Sequence, residues 1–258
     1  TLNIEAGVTL YASSPTSFII VNRGSTMNAA GEDDLPIIFT SQANVEGLSS
    51  SDDSDRNQWG GILILGRAPI SNCNAAGVAG GSASCQALAE GAGTGDFYGG
   101  NVATDNSGIF RYVQIRYTGR ASSPNNELQG LTLAGVGSNT TVEYVQSHNS
   151  GDDGIEIFGG TVNNRYLIIT GSDDDAFDLD VGYVGSSQFV IAVQQAGFGD
   201  TLLENDDDNA SSGSYDALPR TNSKIANFTF VQRTPAEAIH LRGGGDSILL
   251  NGIVTGQG

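Results

Sequence analysis

The chain has 258 residues, 29 acidic and 11 basic side chains and a net charge of −18, and Lys224 is its only lysine. That balance works against nucleic acid and anionic membranes, which bind through basic patches, and favours cations or cationic partners. No apolar run is long enough to span a bilayer, and 36 glycines point to many tight turns.

In chain order, residues 2–5, 8–11, 18–22, 26–29 and 37–40 read as short strands spaced by Gly, Pro and Asp, the first coils of a solenoid. Residues 49–57 form a polar, acidic loop. Residues 59–66 (WGGILILG) are apolar on both faces, which predicts a covered strand. Residues 70–104 make a long Gly/Ala-rich excursion, the kind of insertion that is functional or packs as an Ω-like lid. It carries the only cysteines, Cys73 and Cys85. Their spacing reads as a disulfide clamp in an exported protein, with two unpaired thiols as the alternative. The coils resume at 107–119. A second insertion, 199–222, opens with the acidic run Glu204-Asn205-Asp206-Asp207-Asp208, and residues 225–231, 238–242 and 248–254 complete the coils. Sequons stand at Asn139, Asn209 and Asn227. The whole chain reads as one domain, 1–258, belonging to a longer precursor or stacking end to end on other copies.

The region from Leu131 to Asp208 repeats itself. Leu131, Ile155, Phe177 and Leu203 fall in one column, with steps of 24, 22 and 26 residues; Leu133, Ile157 and Leu179 fall in another. A repeat of this length with short alternating strands specifies an all-β fold, a right-handed parallel β-helix with coils of about 22–24 residues. Consecutive coils lie about 4.8 Å apart, so sequence columns become ladders in space. The residues between the inward apolar ones form an outward column: Thr132, Glu156, Asp178, Glu204 and, after a longer gap, His240. A second acidic column runs through Asp152–Asp153 and Asp173–Asp175, and a third through Asp180 and Asp206.

Stacked carboxylates repel by roughly 1 kcal/mol per pair in water and by several times more at a lower dielectric. No lysine or arginine lies within these runs. The acids are therefore a solvated face, or hold protons, or hold cations between the coils. Calcium, which takes six to eight oxygens in flexible geometry, is the fitting ion. Its expected ligands are Asp152, Asp153, Glu156, Asp174, Asp175, Asp178, Asp180, Glu204 and Asp206. Arg111, Glu143 and Arg165 alternate in sign and read as a structural ion-pair ladder, with Tyr112, Tyr144 and Tyr166 stacked beside it.

The segments WGGILILGRAPI (59–70), SGDDGIEIFGGTV (150–162), GSDDDAFDLDVGY (171–183) and LENDDDN (203–209) resemble a group of secreted bacterial β-helix proteins of Bacteroidetes and proteobacteria. These are extracellular or lipoprotein-like, and some carry a sorting tail for type IX secretion. The resemblance implies a right-handed parallel β-helix exported to the cell surface or beyond, and implies no reaction.

The function expected from these readings is a calcium-stabilised structural or adhesive β-helix, polymerising end to end. The alternative is a β-helix that binds or degrades polysaccharide. For an enzyme, Glu156 and Asp178 on adjacent coils approach the spacing of a retaining glycosidase pair, and Arg242 is the candidate lyase base. His148 and His240 read as structural. For a glycan binder, Tyr98, Tyr117, Tyr183 and Tyr215 are the candidate exposed aromatics, although their columns are not aligned.

Overall fold

The computed structural model describes residues 1–256 apart from 51–52, 124–125 and 208–214. Asp208 and the sequon at 209–211 thus lie outside the described residues. The first turns of the chain form β1 (Leu2–Ile4), β2 (Thr9–Ala12), β3 (Ile19–Val21), β4 (Met27–Ala30), β5 (Ile37–Ser41) and a single helical turn, α1 (Gln42–Val45). There follow β6 (Ile62–Leu65), a hairpin β7 (Ala87–Leu88) and β8 (Phe97–Tyr98), then β9 (Gly108–Arg116) and β10 (Leu131–Ala134). The central coils are β11 (Thr141–His148), β12 (Ile155–Phe158), β13 (Asn163–Thr170), β14 (Phe177–Asp180), β15 (Ser186–Val193) and β16 (Leu203–Asn205). β17 (Asn222–Gln232), β18 (Ile239–Leu241), β19 (Asp246–Leu250) and β20 (Ile253–Gly256) close the described chain.

Apart from the β7–β8 hairpin, strand pairing is parallel and the chain climbs one coil at a time. An eleven-stranded sheet contains the succession β1-β4-β9-β11-β13-β15-β17-β19. A seven-stranded sheet runs β18-β16-β14-β12-β10-β6-β3. The fold is the expected parallel β-helix, and parallel crossovers of this kind are right-handed. The register is also the one read from the repeat. Leu131 faces Ile62 and Ile155, Ile155 faces Phe177, and Glu204 faces both Asp178 and His240. Inward residues of the two sheets, Ile62, Leu131, Ile155 and Phe177 with Val113, Val145, Leu167 and Val190, share one core. Each such side chain contributes about 1.5–3 kcal/mol by its burial. Gly154 lets the chain enter β12 tight against this core, since a Cβ there would lie 2.2 Å from a methyl of Ile169.

The longer strands bend at one fixed column. Tyr112, Tyr144, Tyr166, Phe189 and Asn227 have φ of 50°, 55°, 58°, 60° and 57°. The ladder steps over them: Glu143 faces Arg111, and the next pair is Val145 with Val113. A left-handed non-glycine residue costs of order 1–3 kcal/mol. Here the four aromatics stack face to face, with centroids 4.4, 4.4 and 4.9 Å apart, which offsets about 0.5–1.5 kcal/mol per pair. The ion-pair ladder beside them forms as expected. Glu143 holds Arg165 at 2.5 Å and Arg111 at 3.7 Å.

The aromatics proposed for an exposed glycan face are placed otherwise. Tyr98, Tyr117 and Tyr183 are buried, and only Tyr215 is exposed. Tyr183 packs in the core and donates its hydroxyl to the Val162 carbonyl at 3.0 Å.

Candidate functional site

The acidic columns lie on the outer face of the seven-stranded sheet, and the 70–104 segment covers part of that face. Outward Leu63 and Leu65 of β6, Ala134 of β10 and Phe158 of β12 pack with Ile70, Cys85, Ala87, Ala89 and Tyr98 of the segment in a second apolar cluster. Cys73 and Cys85 are joined as a disulfide, so the expected clamp is present. The segment is anchored to the coils by backbone bonds: Ser71 N–H donates to the Val181 carbonyl and Gly99 N–H to that of Gly66, each at 2.9 Å.

Under this cover the outward acids are not a solvated face. Glu156, Asp153 and Asp178 are 5, 6 and 8% exposed. Burial first, then neighbouring carboxylates, pushes all three, and Asp180 with them, well above the usual carboxylate range. Asp152 is pushed up to about 7, by burial and then by Asp174; Asp174 to about 6, by burial and then by Asp175.

Among the described residues, three carboxylate sets have ligand atoms within 4.8 Å of one another: Asp152–Asp153–Asp174, Asp153–Glu156–Asp178 and Asp174–Asp175–Asp200. The inner set is wholly buried. Glu156 Oε2, Asp178 Oδ1 and Asp180 Oδ1 are buried with no hydrogen-bond partner among the described residues. An orphaned buried carboxylate oxygen costs more than a neutral polar atom, and a cation relieves several at once. The backbone has also turned one oxygen of each acid in the neighbouring column. Asp153 Oδ1 accepts from Asp175 N–H at 2.9 Å, and Asp175 Oδ1 accepts from the amide and hydroxyl of Thr201, both at 2.7 Å. An all-oxygen set of this kind fits a hard cation, and calcium among them. The ladder ends in neutral groups at the β10 coil: Thr132 donates to Gln129, and Gln129 donates to Asp152.

The sequence-derived ligands divide accordingly. Asp152, Asp153, Glu156, Asp174, Asp175 and Asp178 come together in the three sets, and Asp180 stands beside the inner one on β14. Glu204 and Asp206 do not join a set. Arg242, arriving from the next coil, holds Glu204 at 2.8 Å and Asp206 at 2.8 Å, and His240 lies 3.4 Å from Glu204. The expectation that no basic residue offsets the acids fails here, because parallel stacking brings Arg242 in from 36 residues away. The candidate base Arg242 is thereby engaged: burial lowers its pKa, and Glu204 and Asp206 outweigh that and raise it.

Two contributors escaped the sequence reading. Asp200 stands three residues before Leu203, the same offset as Asp152 before Ile155 and Asp174 before Phe177, so the column rule already contained it. Glu90 belongs to the covering segment and shares no repeat. Burial, then Glu127, lifts it to about 6, and its charge acts on Asp152, Glu156 and Asp180.

A family model described as a pectate-lyase-like β-helix domain matches residues 1–258. Among solved structures, the chain is similar to the crystal structure of pectate lyase Pel9A, at 12% identity and a TM-score of 0.44, covering 98% of this chain and 68% of that one. None of the curated proteins matches the chain.

Proposed function

The chain belongs to the pectate-lyase-like β-helix family, and from that membership and the carboxylate ladder we propose an extracellular, calcium-stabilised β-helix that engages polysaccharide. The observation that carries the calcium reading is the sealed set Asp153–Glu156–Asp178 with its orphaned oxygens. In this reading the inner cation is held by those three with Asp180 alongside. The outer cations are held by Asp152, Asp153 and Asp174 and by Asp174, Asp175 and Asp200. The disulfide supports an oxidising, extracellular setting at the bacterial surface or beyond. Polysaccharide engagement takes precedence over the adhesive, end-to-end assembling role because family membership bears on it.

The test is calcium titration of chelator-stripped protein, followed by calorimetry and by thermal unfolding. Saturable binding with a clear rise in Tm supports the reading. Absence of binding at low ionic strength, or a Tm indifferent to chelator, sinks it. Electron microscopy of the same samples decides the assembly role: filaments that dissolve on chelation restore it, and monodisperse particles in both conditions remove it.

A further inference from the structure

A groove of about 550 Å³ crosses the bend of the eleven-stranded sheet, whereas the carboxylate ladder lies on the seven-stranded one. One wall is the ring stack of Tyr112, Tyr144, Tyr166 and Phe189. Beside it runs the column two residues further along each strand: Gln114, Gln146, Ile168, Ile191 and Thr229. Tyr144, Phe189, Ile168 and Ile191 are 37, 39, 43 and 43% exposed. They make a continuous apolar strip on adjacent coils, and such strips on soluble proteins mark binding surfaces.

Three observations select the occupant. Among the described residues, Asp33, from the loop before β5, is the only charged one lining the groove, although the chain carries a net charge of −18. The basic groups beside the rings, Arg111 and Arg165, are both engaged by Glu143, so a polyanion is offered little attraction, and a cation is better served at the ladder; the groove suits an uncharged ligand. The strands beneath it, β9, β11, β13, β15 and β17, are each paired on both sides, so no free sheet edge is offered to an added peptide strand. The apolar strip is bordered by amides and a hydroxyl, Gln114 and Gln146 towards one end and Asn227 and Thr229 at the other, groups that both donate and accept. A sugar ring matches this set, with apolar C–H faces and hydroxyls at its rim. The stacked rings cover one another's faces, so the ligand meets their edges, and Ile168 and Ile191 form the platform.

We propose that this groove binds an uncharged oligosaccharide, its ring faces on Ile168 and Ile191 and its hydroxyls on Gln114 and Gln146. The proposal rests on the polysaccharide reading for the general class of ligand and adds the face and the charge state. The chain itself supplies variants that keep the fold. Phe189→Asn with Ile191→Thr copies the next coil, where Asn227 and Thr229 hold the same two columns and Asn227 adopts the same left-handed φ.

The experiment is calorimetric titration of the calcium-loaded full chain with cellohexaose, xylohexaose and mannohexaose, with polygalacturonate as competitor. Expected are binding of at least one neutral hexasaccharide, no displacement by polygalacturonate, and affinity weakened about tenfold or more in the double variant, which still melts cooperatively, its Tm lowered only by the loss of the Tyr166–Phe189 stack. Failure of all three to bind overturns the proposal, as does binding that the double variant leaves intact or that polygalacturonate displaces. Binding that survives in the double variant but vanishes on chelation overturns the groove while sustaining the calcium-dependent polysaccharide reading.

Discussion

Replacing Asp178 by asparagine should change the stability of this protein in opposite directions with and without calcium. Asp178 stands on β14 between Glu156 and Glu204, and its ligand atom lies within 4.8 Å of those of Asp153 and Glu156. Two unit charges at that distance repel by about 3–4 kcal/mol at an effective dielectric of 20. Burial, then Glu204 and Asp175, raises its pKa well above the usual range, so proton uptake relieves part of the repulsion. A neutral isostere should therefore recover about 2 kcal/mol in the stripped protein. For a domain of this size that raises Tm by roughly 4–8 °C. In calcium the same substitution removes a ligand. An ion at a hundred times its Kd stabilises by about 2.7 kcal/mol, and the variant should forfeit most of that. Scanning calorimetry of wild type and D178N, each in chelator and in saturating calcium, checks both arms. A gain in both conditions would show that Asp178 binds no cation, and a loss in both would refute the repulsion argument.

Three further outcomes are expected. Burial and neighbouring acids raise Asp152 from 3.8 to about 7, Glu204 from 4.5 to about 7 and Asp174 from 3.8 to about 6. Raised carboxyls stabilise the fold while protonated, so that contribution is whole below about pH 4 and is lost as pH climbs through 6 to 7. The stripped protein should then melt at a higher temperature near pH 5 than near pH 8, with calcium flattening the profile; a flat profile without calcium would contradict the shifts. Cys73→Ala with Cys85→Ala opens a twelve-residue loop and should cost about 3 kcal/mol, read as a lower urea midpoint; an unchanged midpoint would mean that the clamp adds nothing. Glu143→Gln leaves Arg111 and Arg165, both about half exposed, without their partner and should cost about 1 kcal/mol. That loss should shrink in high salt, and a loss insensitive to salt would exclude an electrostatic origin.

The repeat made the register legible because each coil must bury its own apolar pair on the coil below. Leu131, Ile155 and Phe177 therefore announce one another, and the acids between them follow at fixed offsets. The offset that placed Asp152 and Asp174 also places Asp200, and applying it one coil further would have completed the outer set. What periodicity does not contain is anything outside the coils. The 70–104 segment has no repeat, so nothing in the sequence revealed that it would bury Glu156 and Asp178 and bring Glu90 beside them. Arg242 was legible only in part: the sequence set it near an acid column as a candidate base, and the stacked geometry shows it instead paired with Glu204 and Asp206. The tyrosines misled because Tyr98 and Tyr183 are as apolar as they are polar, and the covering segment and the core used their rings as filling. Tyr112, Tyr144 and Tyr166 aligned from the outset, yet their alignment did not reveal the groove, which also needs Ile168 and Ile191.

In a plain solenoid each coil touches only its neighbours, so the stack can fray from either end one coil at a time. The disulfide-clamped segment changes that connectivity. Arg23, just after β3, donates to Gly99 O and to Gln86 Oε1, while Ser71 binds the Val181 carbonyl beyond β14 and the Pro69 carbonyl receives Gly160 N–H. One segment thus ties an early coil to a late one across all those between. Loosening any coil beneath it strains the whole span, so these coils open together as one cooperative block, which the close approach of Gly80 and Gly81 to Leu218 and Pro219 carries on to the chain entering β17.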